Sequence, residues 1–167
     1  SGHTPNSISS TSIDLKDMHF FRRSLALISV LAASCSAYAQ PKPILVGQTY
    51  VQTGPLASLA TGPLIGIRAM FAAVNAGGGI NGAPIELWQL DDAYDATRAA
   101  ENVKKLGGDG AVAILMPIGT TSSVGALKAA NALKIPLVAP YTGAGPVVKF
   151  SEYGFPVRIS FDEEYGR

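Results

Sequence analysis

The sequence predicts an α/β domain, a parallel sheet with helices on both faces, and two observations carry that prediction. Strand-like and helix-like segments alternate three times with short connections, the pattern of βαβ units. The strand segments are also largely apolar, as strands buried on both faces must be.

The elements follow in order. Residues 43–49 read as a buried strand, followed by a loop holding Gly54 and Pro55. Over residues 61–76, Leu64, Ile67, Ala69, Phe71 and Val74 recur at helical spacing, with Pro63 placed in the first turn. The glycine-rich stretch 75–82 stops that helix, and 84–90 alternates as a second strand. Asp95 is the expected N-cap of a helix running to Leu106 and ended by Gly107 and Gly108. Residues 110–116 form a third strand, 122–133 a third helix, 135–139 a fourth strand bounded by prolines, and 155–161 a fifth. Residues 151–167 hold charges and aromatics but no helical pattern, so the chain reads as ending within a larger protein.

Ahead of the fold lies a processing signal. Met18 opens a short basic segment with Arg22 and Arg23, an apolar run from Leu25 to Ala33 follows, and Ala37 and Ala39 flank Tyr38 before Gln40. Charge, apolar run and small-x-small site in that order read as a secretory signal peptide over 18–39. The run is far short of the roughly 20 residues that span a bilayer. A lipoprotein variant using Cys35 fits less well, because Leu31 sits one position too far upstream. The Ser- and Thr-rich residues 1–17 are expected to be disordered upstream sequence, leaving 40–167 as the folded domain.

Removing 1–39 takes away Cys35, His3 and His19, the only cysteine and histidines, and leaves ten basic and ten acidic residues. Without imidazole or thiol, a Ser-His-Asp or Cys-His site and the usual Cys/His zinc site are excluded. No disulfide is possible, and no cofactor is called for. Hydrophobic residues at 47% and charged ones at 15% are enough for a sizeable core. The absence of a basic run excludes nucleic acid as a partner.

Four stretches are candidates for chemistry. Residues 77–82 fit G-x-G-x-x-G by letter, but a helix precedes and a strand follows, the reverse of the dinucleotide fingerprint. They read as a helix-ending turn. Asp91, Asp92 and Asp95 form the densest acidic cluster. Either they hold a metal or act as paired acid and base, or they end a strand and cap the next helix. The hydroxyl run Thr120, Thr121, Ser122 and Ser123 lies after an apolar strand and at the start of a helix. Ligands of open parallel sheets bind outside such strand ends. Helix amino-termini favour anions there, by roughly 0.3–1 kcal/mol for an exposed group. The same residues could simply cap the helix. Residues 141–146 follow the fourth strand equivalently, and Thr142, Gly143 and Ala144 are small enough to let backbone approach a ligand.

Read serially, these pieces resemble one family. Thr53-Gly54-Pro55-Leu56-Ala57, the Asn75–Gly82 glycine turn, Leu90-Asp91-Asp92 with Asp95, Gly119-Thr120-Thr121-Ser122, Ile135-Pro136-Leu137-Val138 and Thr142-Gly143-Ala144 are similar to the leucine/isoleucine/valine-binding proteins across residues 43–161. The resemblance implies a type I periplasmic binding fold, with two lobes of sheet order 2-1-3-4-5 closing over a solute, and this chain as the amino-terminal lobe with the second absent. It implies a non-enzymatic periplasmic receptor that passes an amino-acid-like solute to an inner-membrane ABC permease. Carried over, the ligand positions are Thr121 or Ser122, then Thr142, Gly143 and Ala144. Leu59 stands where an aromatic often follows the Gly-Pro loop, which leaves the solute open. A small secreted metal-dependent α/β enzyme using Asp91, Asp92 or Asp95, or a ligand sensor of the same fold, are the alternatives.

Overall fold

The structure, a computed structural model, describes residues 41–166. The expected leader at 18–39 and the upstream residues 1–17 lie outside that range.

Five strands form one parallel sheet of order β2-β1-β3-β4-β5: β1 Ile44–Tyr50, β2 Ile85–Asp91, β3 Ala113–Leu115, β4 Leu137–Val138 and β5 Gly154–Phe155. β1 and β2 pair along their whole length, from Ile44 opposite Ile85 to Tyr50 opposite Asp91. On its other side β1 meets β3, with Gly47 opposite Ile114. The chain therefore leaves β1 towards β2 and later returns past β1 to β3. That reversal is the switch point at which open sheets bind ligands.

Helix α1 (Ala57–Ala76) lies on one face. Helices α2 (Ala96–Gly108) and α3 (Thr120–Leu133) pack together on the other. The main core sits under α2 and α3, where Leu45, Val103, Leu106, Ile114, Leu127 and Leu137 are buried together. Gly47 admits this contact, since a Cβ there would lie 3.0 Å from both Ile114 and Leu106. A second apolar cluster of Tyr50, Val51, Ala60 and Ile118 lies at the carboxyl ends of the strands, beneath the site described below.

Several expectations about individual elements need correction. Helix α1 starts at Ala57, not residue 61, because the turn at 54–57 already closes with Ala57 N bonded to Gly54 O and Leu59 N to Leu56 O. Pro63 thus lies inside the helix and leaves the Leu59 carbonyl without its N–H. Leu59 is half-exposed, so water can serve there. Helix α2 runs through Gly107 and Gly108 and ends at Asp109. The strand expected at 155–161 stops at Phe155, and Phe161–Tyr165 is a short helix, α5. Ser160 and Glu163 form its capping box, a signal present in the letters and passed over. The remaining short helix, α4, spans Gly145–Val148.

Candidate functional site

The strand ends are built with an unusual backbone. Ala93 and Tyr94 after β2, Met116 after β3 and Ala139 before the β4 loop all have positive φ without being glycine. Such residues cost on the order of 1–3 kcal/mol each and cluster at ligand sites. Pro117 and Pro140 follow the last two, both buried. Each strand therefore bends at its carboxyl end, and the next residues run parallel again. Ile118 bridges Tyr141, with Gly119 N bonded to Tyr141 O at 3.2 Å and Tyr141 N to Pro117 O at 2.9 Å.

This extra ladder brings together the two loops singled out in the sequence. The next side chains along each strand, Thr120 and Thr142, have their hydroxyls 2.9 Å apart. Thr142 Oγ1 also accepts from the Ala144 N–H at 3.1 Å. With Thr142 accepting there, its own proton is free for Thr120 Oγ1, and the Thr120 proton for a ligand acceptor. The α3 cap is Gly119, at φ 80°, and no side chain caps the turn. The N–H groups of Thr120, Thr121 and Ser122 have no acceptor within the helix. Only glycine fits at 119, because a Cβ would lie 2.7 Å from the Tyr94 ring and 3.3 Å from Leu56.

The sequence-derived site residues fare differently. Thr142 is buried and central. Thr121 is exposed on the first turn of α3. Ser122 is fully buried, and its hydroxyl donates to Asp92 at 2.9 Å, so it neither caps α3 nor faces the crevice. Gly143 is buried beneath the chain's own segment 159–161: Phe161 N bonds its carbonyl, and a Cβ would lie 2.8 Å from the Phe161 ring. The Ala144 N–H is engaged by Thr142, and its carbonyl accepts from Val147 and Val148. Leu59 lies on α1; Leu56 is the residue of that region abutting Gly119. Thr120 belongs to the hydroxyl run singled out in the sequence, though the positions carried over from the resemblance are Thr121 and Ser122. It is Thr120 that meets Thr142, and the Tyr94 ring that lies against Gly119, a contact with no sequence signal. The parallel register past Ile118 singles out Thr120, and no spacing rule marks it.

The aspartates have other work. Asp95 caps α2 through Arg98 N at 2.8 Å. Partial burial tends to raise the Asp91 pKa. Hydrogen bonds from the Thr53 hydroxyl and the Ala93, Thr53 and Gln52 N–H groups outweigh it and hold the carboxyl at about 2. Asp92 is fully buried. Among the described residues, no three His, Cys, Asp or Glu side chains converge to hold a metal.

A parallel 2-1-3-4-5 sheet with hydroxyls and unpaired helix-end amides at the carboxyl ends of β3 and β4 has the build of a solute-binding lobe. Residues 43–164 match the family described as periplasmic binding protein, and the chain belongs to that family. Its members are solute-binding proteins, not enzymes, which overturns the metal-dependent alternative. Similar solved structures include a possible leucine/isoleucine/valine-binding protein from Rhodopirellula baltica, at 27% identity and TM-score 0.71, covering 77% of this chain and 35% of that one. An extracellular ligand-binding receptor from Verminephrobacter eiseniae shares 30% identity at TM-score 0.62, over 71% and 34%. The branched-chain amino acid transporter substrate-binding protein of Streptococcus pneumoniae, in complex with isoleucine, shares 25% at TM-score 0.65, again over 71% and 34%. The chain thus spans about a third of the length of these structures. No curated protein matches it.

Proposed function

We propose that this lobe belongs to the periplasmic substrate-binding component of an ABC transporter for branched-chain or related amino acids. The solute carboxylate sits at the amino-terminus of α3, between the loops after β3 and β4, and a second lobe closes over it before delivery to the inner-membrane permease. The observation that supports this most directly is the Thr120–Thr142 hydroxyl pair beside an uncapped helix end. Neutral hydroxyls and amides with no cation among them suit a zwitterion, whose charge is met by dipoles without a competing ion. The neighbours named for branched-chain amino acids point the same way. Leader cleavage before Gln40 places the protein in the periplasm.

Calorimetric titration of the two-lobed protein with leucine, isoleucine and valine tests the reading. Thr120→Ala and Thr142→Ala should each weaken binding by about tenfold, the loss of one hydrogen bond to a charged group. Unchanged affinity in both variants would sink the proposed site. Residues 40–167 alone should bind poorly, having half the cleft.

A further inference from the structure

We propose that Asp92 is the positioning residue of this site: its buried carboxylate fixes the rotation of the first turn of α3 and so aims Thr120 at Thr142. The inference rests on the solute-binding reading of the crevice. Asp92 has no exposed surface. Its Oδ2 accepts from the Thr49 hydroxyl at 2.8 Å, and its Oδ1 from the Ser122 hydroxyl at 2.9 Å and the Tyr94 N–H at 2.9 Å. No Lys or Arg is paired with it in the described chain, whose ion pairs are Arg98–Asp91, Lys105–Asp109 and Arg158–Glu164. Neutral donors and the positive end of α3 carry the whole compensation.

The donors come from three different places. Thr49 is on β1, Tyr94 lies in the loop after β2, and Ser122 is the third residue of α3. Thr49 is held in turn by Asn102 of α2, whose Nδ2 lies 3.1 Å from the Thr49 hydroxyl and 3.0 Å from the Asp91 carbonyl. The carboxylate therefore grips α3 from a frame that the sheet and α2 make rigid. Residues two apart on a helix point about 200° away from each other. With Ser122 drawn onto Asp92, Thr120 points away from Asp92, towards Thr142 in the loop after β4. The same carboxylate holds Tyr94, whose ring lies against Gly119. Both flanks of the α3 cap thus touch one buried acid, alongside the Gly119 N–H bond to the Tyr141 carbonyl and the Ser123 hydroxyl bond to the Pro117 carbonyl at 3.2 Å. Burying an unpaired carboxylate is costly, and a group of fixed direction is what it supplies in return.

The test uses Asp92→Ala, Asp92→Asn and the milder Ser122→Ala in the two-lobed protein, with leucine as the probe and crystal structures as a second readout. Asp92→Ala should weaken leucine binding about tenfold, and Ser122→Ala about fivefold, under conditions where circular dichroism shows both folded. Asp92→Asn keeps the acceptor towards Ser122 and Tyr94 and should stay within about threefold of the parent. In a Thr120→Ala background the further loss from Asp92→Ala should shrink to about twofold or less, because both changes act on one contact. Fully additive losses would overturn the proposal. Should the parent bind no amino acid, the solute reading fails, but the crystal structures still decide the positioning role. In Asp92→Ala or Ser122→Ala the Thr120–Thr142 hydroxyl contact should open beyond hydrogen-bonding reach, and in Asp92→Asn it should persist. A contact that survives in both of the first two variants refutes the idea.

Discussion

The side of the sheet under α2 and α3 and the side under α1 are built to different standards. Under α2 and α3, Val103, Leu106, Ile114 and Leu137 have essentially no exposed surface. The two helices press together so closely that a Cβ on Gly125 would lie 2.1 Å from the Ala96 carbonyl oxygen. Under α1 only Ala60 and Ile67 of a 20-residue helix are buried, while Ile65 and Met70 are 65% and 63% exposed. Beside it a groove of about 320 Å³, lined wholly by apolar side chains such as Val46, Phe71, Leu115 and Val138, stays open. The folding energy of this lobe therefore sits on the α2–α3 side. That side also carries α3, whose first turn forms half of the crevice.

The sharpest way to break this comparison is to make the same substitution on both sides. Gly125→Ala gains about 1 kcal/mol in helix propensity. Against that stands a clash with helix backbone, which cannot swing aside as a side chain would; overpacking of this kind costs about 1–3 kcal/mol and occasionally more. The clash should win, with a net loss of about 2 kcal/mol in urea unfolding and weaker leucine binding as α3 shifts. A stable variant with unchanged binding would show that the helices have slack.

Sequence legibility follows the same division. The strand–helix alternation, the glycine turn after α1, and Asp95 as the α2 cap were all readable, because each is local chemistry. The sheet order also came out as the resemblance implied. The start of α1 was misplaced because Pro63 is a strong first-turn signal, whereas the turn that starts the helix is made by backbone bonds at Gly54 and Leu56. At the crevice, the hydroxyl run is legible in the sequence, but which of its side chains meets the loop after β4 is not. Thr120, Thr121 and Ser122 are alike as letters. What separates them is the Ile118–Tyr141 bridge on one side and the Asp92 carboxylate on the other. Both are contacts between residues more than twenty positions apart, beyond any helical or strand period. The positive φ at Met116 and Ala139 leaves no local trace either, since neither residue favours that conformation.

Asp91 ties the two sides together. It accepts from Gln52 and Thr53 in the loop entering α1, and it pairs with Arg98 on α2 at 3.5 Å. Because its folded pKa is depressed from 3.8 to about 2, its contribution is complete above pH 4 or so and fades as pH falls towards 2. Asp91→Asn should lose about 1 kcal/mol at neutral pH. The gap between variant and parent should close progressively in acid, read from urea midpoints between neutrality and pH 2. A gap that stays constant across that range would show that the carboxylate's charge plays no part.

The smallest expected effect is the most telling about α1. Gly66 lies in the middle of that helix, and a Cβ built there meets nothing within 4 Å. Gly66→Ala therefore removes the entropy cost of a helical glycine with no steric charge against it, and should stabilise the lobe by about 0.7 kcal/mol. The opposite sign from Gly125→Ala, for the same added methyl in a helix of the same molecule, isolates packing as the variable. If Gly66→Ala destabilised instead, the open side of α1 would have to be covered in solution. The exposed Ile65 and Met70 would then be part of a contact, and the contrast between the two sides would close.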